Sequence, residues 1–318
     1  MYESPLFWPA YVKDNTLWVL DETLIPSKIK YIPVKSVEGS VKVIREMKTR
    51  AFGQFLVVLN TFLLELKPKG ELLPHLINVA NQLNNSRPTF PFSEVTGIVI
   101  GAAQHAASKN CDVKTTVIKT VQGFIQGIRH RRLERVNQLA LQLKDGDNIL
   151  THCNVSGELA MAAAQAMAQH RRVKIFATET RPYLQGGKLT AWEISKAKVP
   201  VTVVPDNAVA SLMAEGMVNK VVIGSDRSAA NGDIANKIGS YQIAVLAKEF
   251  GLPLIVLTQP STKVKKGTDM PIELRDAAEL LVVNGKRFVP KGVDGFYPGF
   301  DVVPHELITK EISINAGL

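Results

Sequence analysis

Residues 147–178 read DNILTHCNVSGELAMAAAQAMAQHRRVKIFAT, and they decide the fold class of this 318-residue chain. A short apolar run at 148–152 precedes an alanine-rich stretch with helical spacing at 157–170, and a second apolar run follows at 173–178. Runs of Val, Ile and Leu without polar alternation are typical of strands that are covered on both faces. The stretch therefore predicts one strand–helix–strand unit of a parallel sheet.

The same alternation continues towards the C-terminus. The further apolar runs lie at 199–204, 220–224, 254–258 and 280–283, and the helical patterns between them lie at 189–198, 208–215 and 234–250. Strand–helix–strand repetition at this spacing predicts right-handed crossovers. We therefore expect a Rossmann-like, doubly wound parallel sheet domain over 147–318.

Residues before 147 have a different pattern, in which helical periodicity dominates. The predicted helices cover 40–48, 53–66, 71–84, 93–109 and 112–144. The first 35 residues alternate like a small antiparallel sheet, with strands at 16–20 and 29–33. The predicted fold class is thus α/β, with a mainly helical N-terminal domain over 1–146 that carries this small sheet.

Composition excludes several classes of protein. With 46% hydrophobic and 21% charged residues, the chain is neither disordered nor a small disulfide scaffold. Its longest apolar stretch, 55–66, falls short of the roughly 20 residues that a membrane span needs. The N-terminus MYESPLFWPAY lacks the pattern of a signal peptide, and two cysteines fit a reducing compartment. We expect a cytoplasmic protein without a membrane partner.

The net charge of +9 arises from 38 Lys and Arg against 29 Asp and Glu. The densest basic run is 129–132 together with Arg135, and no aromatic residues interleave with it. Short charge runs of this kind are typical of a solvated helix face. We therefore predict no nucleic-acid partner, and read the charge excess as compatible with a small anionic substrate.

Polar side chains follow each predicted strand of the parallel sheet. In open α/β sheets, ligands bind outside the carboxyl ends of the strands. The residues at that edge are His152, Cys153 and Asn154, then Glu179, Thr180 and Arg181, then Asp206 and Asn207, then Ser225, Asp226 and Arg227, and finally Gln259. A thiol, carboxylates, guanidinium groups and amides on one edge predict a small-molecule site.

Cys153 and Asp226 are the two candidates for catalytic groups. Cys153 lies at a strand-to-helix turn, where a helix N-terminus favours the reactive thiolate; the alternative is a small buried apolar residue. Asp226 follows an apolar strand, where desolvation favours a protonated general acid; the alternative is a helix cap or a partner of Arg227. The residues alone leave both alternatives open.

The sequences that mark several common reactions are absent. The chain contains no GxGxxG after a strand, no GxxxxGK[ST], no GxSxG and no HExxH, and its six histidines are scattered. These absences disfavour nicotinamide dehydrogenases, P-loop hydrolases, α/β-hydrolases and zinc enzymes. We expect neither a metal nor an organic cofactor.

Six segments of the chain resemble one known family, which unites methylthioribose-1-phosphate isomerase, ribose-1,5-bisphosphate isomerase and the regulatory subunits of translation initiation factor 2B. The matching segments are ILTHCNVSGELA at 149–160, ETRPYLQGGKLTAWE at 179–193, VPVTVVPDNA at 199–208, VIGSDRSAANGDIANKIGSYQIAVLAKEFGLPLIV at 222–256, PIELRD at 271–276 and FDVVPHELIT at 300–309. LTAWE and DRSAANGDIANKIG make the chain most similar to the methylthioribose-1-phosphate isomerase branch. The resemblance implies a Rossmann-like catalytic domain and a homodimer.

The resemblance also implies roles for individual residues. It makes Cys153 and Asp226 the catalytic pair, and the substrate-binding residues that it implies are Arg50, Arg87, Gln185, Asn236 and Lys237. The chain departs from the family after each arginine, where bulkier residues stand at 51–54 and 90–92. We expect the phenylalanines of these two segments, Phe52, Phe90 and Phe92, to form an apolar wall near the sugar; the alternative is that they belong to the core of the N-terminal domain.

The activity that the resemblance implies is aldose–ketose isomerisation. The substrate would be a 5-substituted ribose 1-phosphate, such as 5-methylthioribose 1-phosphate or 5-deoxyribose 1-phosphate, and the product a ribulose 1-phosphate. The mechanism would be either proton transfer between Cys153 and Asp226 or a hydride shift. The alternative function is a non-catalytic regulatory subunit that binds a sugar phosphate or a nucleotide.

Overall fold

The computed structural model describes residues 2–68, 70–88, 90–259, 264–283 and 285–314. It divides into two compact units, of which one is Pro5–Arg131 and the other is Arg132–Leu318 with Met1–Ser4. No helix among the described residues combines the length and apolarity that crossing a bilayer requires.

The N-terminal unit contains the predicted small sheet and the predicted helices. Its antiparallel sheet has the order β1-β2-β3, with strands β1 (Ala10–Lys13), β2 (Thr16–Leu20) and β3 (Tyr31–Val34). Its helices are α1 (Val37–Arg45), α2 (Ala51–Leu64), α3 (Leu72–Asn84), α4 (Phe92–Ser108) and the first part of α5 (Val113–Gln142). The boundary between the units falls within α5.

Helix α2 forms the centre of the N-terminal core because it is apolar on almost every side. Four consecutive residues of α2 are fully buried, namely Leu56, Val57, Val58 and Leu59. A helix that is hydrophobic all round is buried all round. The small sheet and the other helices therefore pack around α2 and cover it.

The second unit is built on strands and helices that alternate. Its elements are β4 (Asp147–Thr151), α6 (Glu158–Ala168), β5 (Val173–Thr178), α7 (Ala191–Lys196), β6 (Val201–Val204), α8 (Val209–Ala214), β7 (Lys220–Gly224), β8 (Arg227–Ser228), β9 (Ile234–Lys237), α9 (Ser240–Glu249), β10 (Leu254–Thr258), α10 (Ala277–Leu281), β11 (Val282–Val283), β12 (Lys286–Arg287), β13 (Phe300–Val303) and β14 (Lys310–Ser313). β4 begins at Asp147, where the sequence predicts the second domain to start.

Six of these strands form one parallel sheet in the order β14-β10-β7-β4-β5-β6. The chain first adds strands on one side of β4 and then returns to add β7, β10 and β14 on the other side. This is the doubly wound order, with its switch point between β4 and β7. The predicted fold class is confirmed.

Two of the predicted elements differ from the structure. The apolar run 280–283 does not join the parallel sheet, because it ends α10 and then pairs in a two-stranded hairpin of β11 with β12. The sixth strand is β14 instead, whose polar side chains gave no apolar run. The predicted helix 234–250 begins only at Ser240, because residues 234–237 form β9 and pair with β8 and β13.

The basic run of α5 is not a solvated helix face, so that expectation is wrong for its innermost members. Arg132 is 1% exposed and Arg135 is 6% exposed, and both contact Glu158, which is 1% exposed. Arg132 Nε donates to Glu158 Oε1 at 2.6 Å, and Arg135 Nε donates to Glu158 Oε2 at 2.6 Å. We call these three side chains the arginine–glutamate triad.

The triad ties α5 to the start of α6 and to the sheet. Arg132 Nη2 donates to the carbonyl of Ser156 at 2.8 Å, and Arg135 Nη1 donates to the carbonyl of Thr258 at 2.9 Å. Burial alone would raise the pKa of Glu158, but the charges of Arg135 and Arg132 outweigh it and lower that pKa. Glu158 is therefore ionised between two buried cations.

Removal of the triad's carboxylate should destabilise the protein strongly. Glu158→Gln keeps the shape but leaves two buried guanidinium groups without their counter-charge, so we expect the free energy of unfolding to fall by about 3–5 kcal/mol. Asp145→Asn is the matched control, because it breaks an ion pair with Arg172 that is exposed and should change stability little. Urea unfolding of both variants measures this, and equal small losses would contradict the role given to the triad.

Candidate active site

Cys153 and Asp226 follow the two strands that meet at the switch point. Cys153 lies two residues after β4, Asp226 lies two residues after β7, and these strands are neighbours in the parallel sheet. Ligands of doubly wound proteins bind in the crevice at this point. The topology thus brings the predicted thiol and the predicted acid to the same edge of the sheet.

The backbone of Cys153 is held in the left-handed region, with φ of +64°. This conformation is costly for a residue with a side chain and persists only where neighbours enforce it. Thr180 Oγ1 accepts from the amide of Cys153 at 3.0 Å, and Thr190 Oγ1 donates to its carbonyl at 2.5 Å. Two threonines therefore fix both backbone groups of the residue that carries the candidate catalytic thiol.

The rest of the turn after Cys153 is fixed by Asn154. Its Oδ1 accepts from the amide of Ser156 at 2.9 Å, while its Nδ2 donates to Thr190 Oγ1 at 3.0 Å and to Glu193 Oε1 at 2.8 Å. Glu193 is fully buried and also accepts from Ser4 Oγ at 2.7 Å. The turn 153–157 is thus bound by side chains before α6 begins.

Gln185 contacts the sulfur directly. Its Nε2 donates to Cys153 Sγ at 3.3 Å, and the side chain is 1% exposed. A donor to sulfur stabilises the thiolate relative to the thiol. The other end of this amide, Oε1, is buried and accepts no hydrogen bond from the described residues, which leaves an acceptor for a hydroxyl group beside the thiol.

Asp226 begins a hairpin that returns the chain to the same edge of the sheet. Its amide donates to the carbonyl of Ala235 at 3.0 Å, and β8 then pairs with β9 in antiparallel register. Because Ala235 precedes Asn236 and Lys237, the hairpin carries both predicted substrate-binding residues back towards Asp226. The helix predicted to start at 234 was wrong here, and the hairpin is what brings the three residues together.

The amide and the ammonium group at the end of β9 have defined surroundings. Asn236 Nδ2 donates to Ser240 Oγ at 2.8 Å, and Ser240 Oγ donates to the carbonyl of Lys237 at 2.7 Å. Lys237 Nζ lies 4.9 Å from the ring centroid of Phe300 and 5.8 Å from that of Tyr297. These rings stabilise the cation while its charge stays suited to an anionic ligand.

Arg50 and Arg87 are brought together within the N-terminal unit. Arg87 Nη1 donates to Gln54 Oε1 at 3.0 Å, and the carbonyl of Arg50 accepts from the amide of Gln54 at 2.9 Å. Arg50 Nε also lies 3.9 Å from Glu22 Oε2. Burial raises the pKa of Glu22, although the charge of Arg50 opposes that rise.

The expected apolar wall of phenylalanines is only partly compatible with the structure. Phe92 is fully buried in the core of the N-terminal unit, so the alternative of a core residue holds for it. Phe90 packs against Phe92 and Phe55, and the Arg87 guanidinium lies 4.7 Å from its ring centroid. Phe52 packs on Trp8.

Asp301 was not predicted, yet it lies directly opposite Asn236 in the pairing of β13 with β9. Its Oδ2 accepts from the amide of Gly239 at 2.7 Å, whereas its Oδ1 is buried without a hydrogen bond from the described residues. Burial raises the pKa of Asp301 to about 6 despite the backbone donors. The FDVV motif was the only signal in the sequence that pointed to it.

Potential metal ligands meet at one place in the described part of the chain. Asp233, His305 and Glu306 each offer a ligand atom within 4.8 Å of the others, but His305 and Glu306 are exposed. The Asp233 carboxylate already accepts from the amides of Gly267 and His305. The cluster includes none of the predicted catalytic or substrate-binding residues.

Most of the chain matches one known protein family. Residues 46–317 match the Initiation factor 2 subunit family. A methylthioribose-1-phosphate isomerase of Desulforudis audaxviator is 37% identical, with 95% of this chain and 92% of that protein aligned. A 5-deoxyribose 1-phosphate isomerase of Moorella thermoacetica is 34% identical over 98% of this chain and 94% of that protein.

Solved structures with the same fold bear two kinds of name. The 5-methylthioribose 1-phosphate isomerase of Pyrococcus horikoshii superposes with a TM-score of 0.85 at 27% identity, covering 99% of this chain and 94% of that one. The delta subunit of translation initiation factor eIF-2B from A. fulgidus superposes with a TM-score of 0.82 at 28% identity, covering 96% and 94%.

The raised pKa of Asp301 predicts a pH-dependent contribution to stability. The folded protein retains a proton between pH 3.8 and about 6 that the unfolded chain releases, so this contribution is full below pH 4 and is lost as the pH rises through 6. We expect wild-type stability relative to Asp301→Asn to fall by about 2 kcal/mol between pH 4 and 7, allowing for partial exposure of the carboxyl.

Urea unfolding at several pH values measures this difference. Asp145→Asn is the control, because the exposed Arg172 lowers the pKa of Asp145 to about 2, so its contribution should stay constant over the same range. If the difference in unfolding free energy between wild type and Asp301→Asn were also constant from pH 4 to pH 7, the raised pKa of Asp301 would be contradicted.

Proposed function

Because the chain belongs to the initiation factor 2 subunit family, in which its relatives include sugar-phosphate isomerases, we propose that it is an aldose–ketose isomerase. Its substrate is a 5-substituted ribose 1-phosphate, either 5-methylthioribose 1-phosphate or 5-deoxyribose 1-phosphate. Its product is the corresponding ribulose 1-phosphate. The observation that carries the proposal is the position of Cys153 and Asp226 at the ends of the two switch-point strands.

Isomerisation is favoured over a purely regulatory role by the relatives and by the site. Relatives at 33–37% identity, aligned over nearly the whole chain, are named as isomerases. A regulatory subunit that only binds a ligand has no need for a thiol and an acid on adjacent strands. The strained Cys153 backbone, held by two threonines, is likewise typical of a catalytic position.

The reaction demands an acid and a base, because the phosphate ester at C1 locks the aldose as a ring. In the proposed mechanism, protonated Asp226 gives its proton to the ring oxygen as the bond from C1 to that oxygen breaks. The Cys153 thiolate takes the proton from C2, and the electron pair of that C–H bond forms the double bond between C1 and C2. This step yields an open-chain enol phosphate.

The second half of the mechanism restores both groups. The Cys153 thiol returns its proton to C1, and the C2 hydroxyl gives its proton to the Asp226 carboxylate, so that C2 becomes the ketone. Gln185 supports these steps, because its amide donates to the sulfur and stabilises the thiolate form. Positioned proton transfer of this kind needs the reacting groups within hydrogen-bond reach of the sugar.

The remaining predicted residues are proposed to bind the substrate. Lys237 supplies positive charge for the phosphate, Asn236 lies beside it on β9, and Gln185 Oε1 accepts from a sugar hydroxyl. Arg50 and Arg87 are assigned to substrate binding on the family resemblance. We also propose a cytoplasmic location, since neither Cys111 nor Cys153 is in a disulfide in the described part of the chain.

Conservative replacement of either catalytic group should abolish turnover without unfolding the protein. Cys153→Ser and Asp226→Asn each remove one proton-transfer group and little volume, so we expect kcat to fall by about 10²–10⁴-fold. Conversion of 5-methylthioribose 1-phosphate measures this, and Cys111→Ser, which changes an exposed thiol, is the matched control. Near-normal turnover in either variant would show that the residue is not catalytic.

We propose that the isomerase is a homodimer formed through its C-terminal unit. Helix α9 exposes Tyr241 (46%) and Val245 (42%), four residues apart and therefore on one face of the helix. Val245→Glu should convert the dimer to a monomer, because it places a charge in an apolar contact. Sedimentation equilibrium measures this, with Ile29→Glu as an exposed control in the N-terminal unit; a wild-type monomer at micromolar concentration would refute the dimer.

A further inference from the structure

We propose that His152 is a positioning residue of the active site, because one chain of hydrogen bonds through it fixes both the Cys153 backbone and the end of the strand that carries Lys237. The catalytic part of this inference rests on the function proposed above. His152 is 3% exposed, and its imidazole contacts two different elements of the fold.

The imidazole makes one contact with each of two elements. Its Nε2 lies 2.8 Å from the carbonyl oxygen of Ile238, and its Nδ1 lies 2.6 Å from Thr178 Oγ1. A carbonyl oxygen only accepts, so Nε2 carries the proton and Nδ1 of the neutral ring accepts from the Thr178 hydroxyl. Burial lowers the pKa of His152 and outweighs the opposing effects of the Ile238 carbonyl and the charge of Asp206, and this favours the neutral ring.

Once these protons are assigned, the donor and the acceptor of each hydrogen bond in the series from His152 to Cys153 follow. Since Thr178 donates to His152, its hydroxyl oxygen can only accept from Thr180. The Thr180 hydroxyl lies 3.3 Å from both the hydroxyl and the carbonyl oxygen of Thr178 and is shared between these two acceptors. Thr180 Oγ1 accepts in turn from the amide of Cys153 at 3.0 Å. Donors therefore run from Cys153 through both threonines and His152 to Ile238, an order in which each bond polarises the next.

At its other end, the series of hydrogen bonds reaches the carbonyl of Ile238 and fixes the residues that follow β9. Lys237 is the last residue of β9, and Gly239 then turns the backbone at φ of +102° before α9 begins. A Cβ atom at Gly239 would lie 3.2 Å from His152 Nε2, so the imidazole packs directly against this turn. Loss of the bond to Ile238 would release the segment that sets where Lys237 stands.

The chain of hydrogen bonds through His152 thus has two arms. The thiol arm runs through Thr178 to Cys153, and the lysine arm runs through Ile238 to Lys237. The two arms can be cut separately. In His152→Gln the amide nitrogen falls where Nε2 was and keeps the lysine arm, whereas in His152→Asn the amide oxygen falls where Nδ1 was and keeps the thiol arm. Thr178→Val removes only the hydroxyl of the thiol arm, and Thr178→Ser retains it.

The test measures kcat and KM for 5-methylthioribose 1-phosphate in all four variants. We expect His152→Gln and Thr178→Val to lower kcat about tenfold with KM nearly unchanged, because the catalytic thiol is displaced. We expect His152→Asn to raise KM about tenfold with a smaller change in kcat, because the substrate-binding lysine is displaced. Thr178→Ser should behave as the wild type.

A second readout separates this inference from the proposed function. In a Cys111→Ser background, the rate at which iodoacetamide alkylates Cys153 should change at least about threefold in His152→Gln and Thr178→Val but not in Thr178→Ser or His152→Asn. This rate needs no isomerase activity, so it tests the thiol arm even if no sugar phosphate is converted. Melting temperatures of all variants are measured alongside.

Two outcomes would overturn the inference. In the first, His152→Gln and His152→Asn change kcat and KM in the same way, and the changes follow the loss of melting temperature. His152 would then have a structural role only. The other is an unchanged alkylation rate in Thr178→Val. Altered alkylation with no turnover in the wild type would instead support the thiol arm and refute the isomerase.

Discussion

The buried arginine–glutamate triad is the interaction on which the turn that carries Cys153 depends. Glu158 is the first residue of α6, and it sits between two guanidinium groups that the α5 helix delivers to the interior. Such an arrangement is stable only when every charge is paired and hydrogen-bonded, and here Arg132 also bonds the carbonyl of Ser156 within the turn. The start of α6 is thereby held in place, and the turn 153–157 connects β4 to it. Cys153 has a positive φ within this turn, where Thr180 and Thr190 hydrogen-bond its backbone groups.

The order of the strands in the parallel sheet positions the other residues of the candidate site. The doubly wound order makes β4 and β7 neighbours although they are far apart in sequence, so the residues that follow them share the switch-point crevice. The hairpin of β8 and β9 then returns Lys237 to the same edge, and the His152 chain connects the end of that hairpin to the thiol. A thiol that is fixed at its amide, carbonyl and sulfur is suited to a reaction in which one proton moves between defined atoms.

The sequence predicted what depends on local pattern and missed what depends on distant partners. Apolar runs such as 173–178 predicted the central strands, and the ends of those runs were enough to place Cys153 and Asp226 at one edge of the sheet. β14 was missed because only one side chain of this edge strand is buried. The burial of Arg132 could not be seen, since its partner Glu158 is 26 residues away and a charged run reads as a solvent-exposed face. Phe92 follows Arg87, to which the resemblance gives a substrate-binding role, yet packing around α2 places it in the core.

The most direct test of the account is phosphorus NMR of the purified chain with 5-methylthioribose 1-phosphate, 5-deoxyribose 1-phosphate and ribose 1,5-bisphosphate in separate samples. An isomerase should replace the signal of the anomeric phosphate by that of a ketose 1-phosphate for one or both of the first two sugars, and Cys153→Ser should stop this conversion. Binding of a sugar phosphate without any conversion would contradict the account and favour a regulatory subunit. Conversion of the bisphosphate in preference to the other two would retain the reaction but refute the proposed substrates.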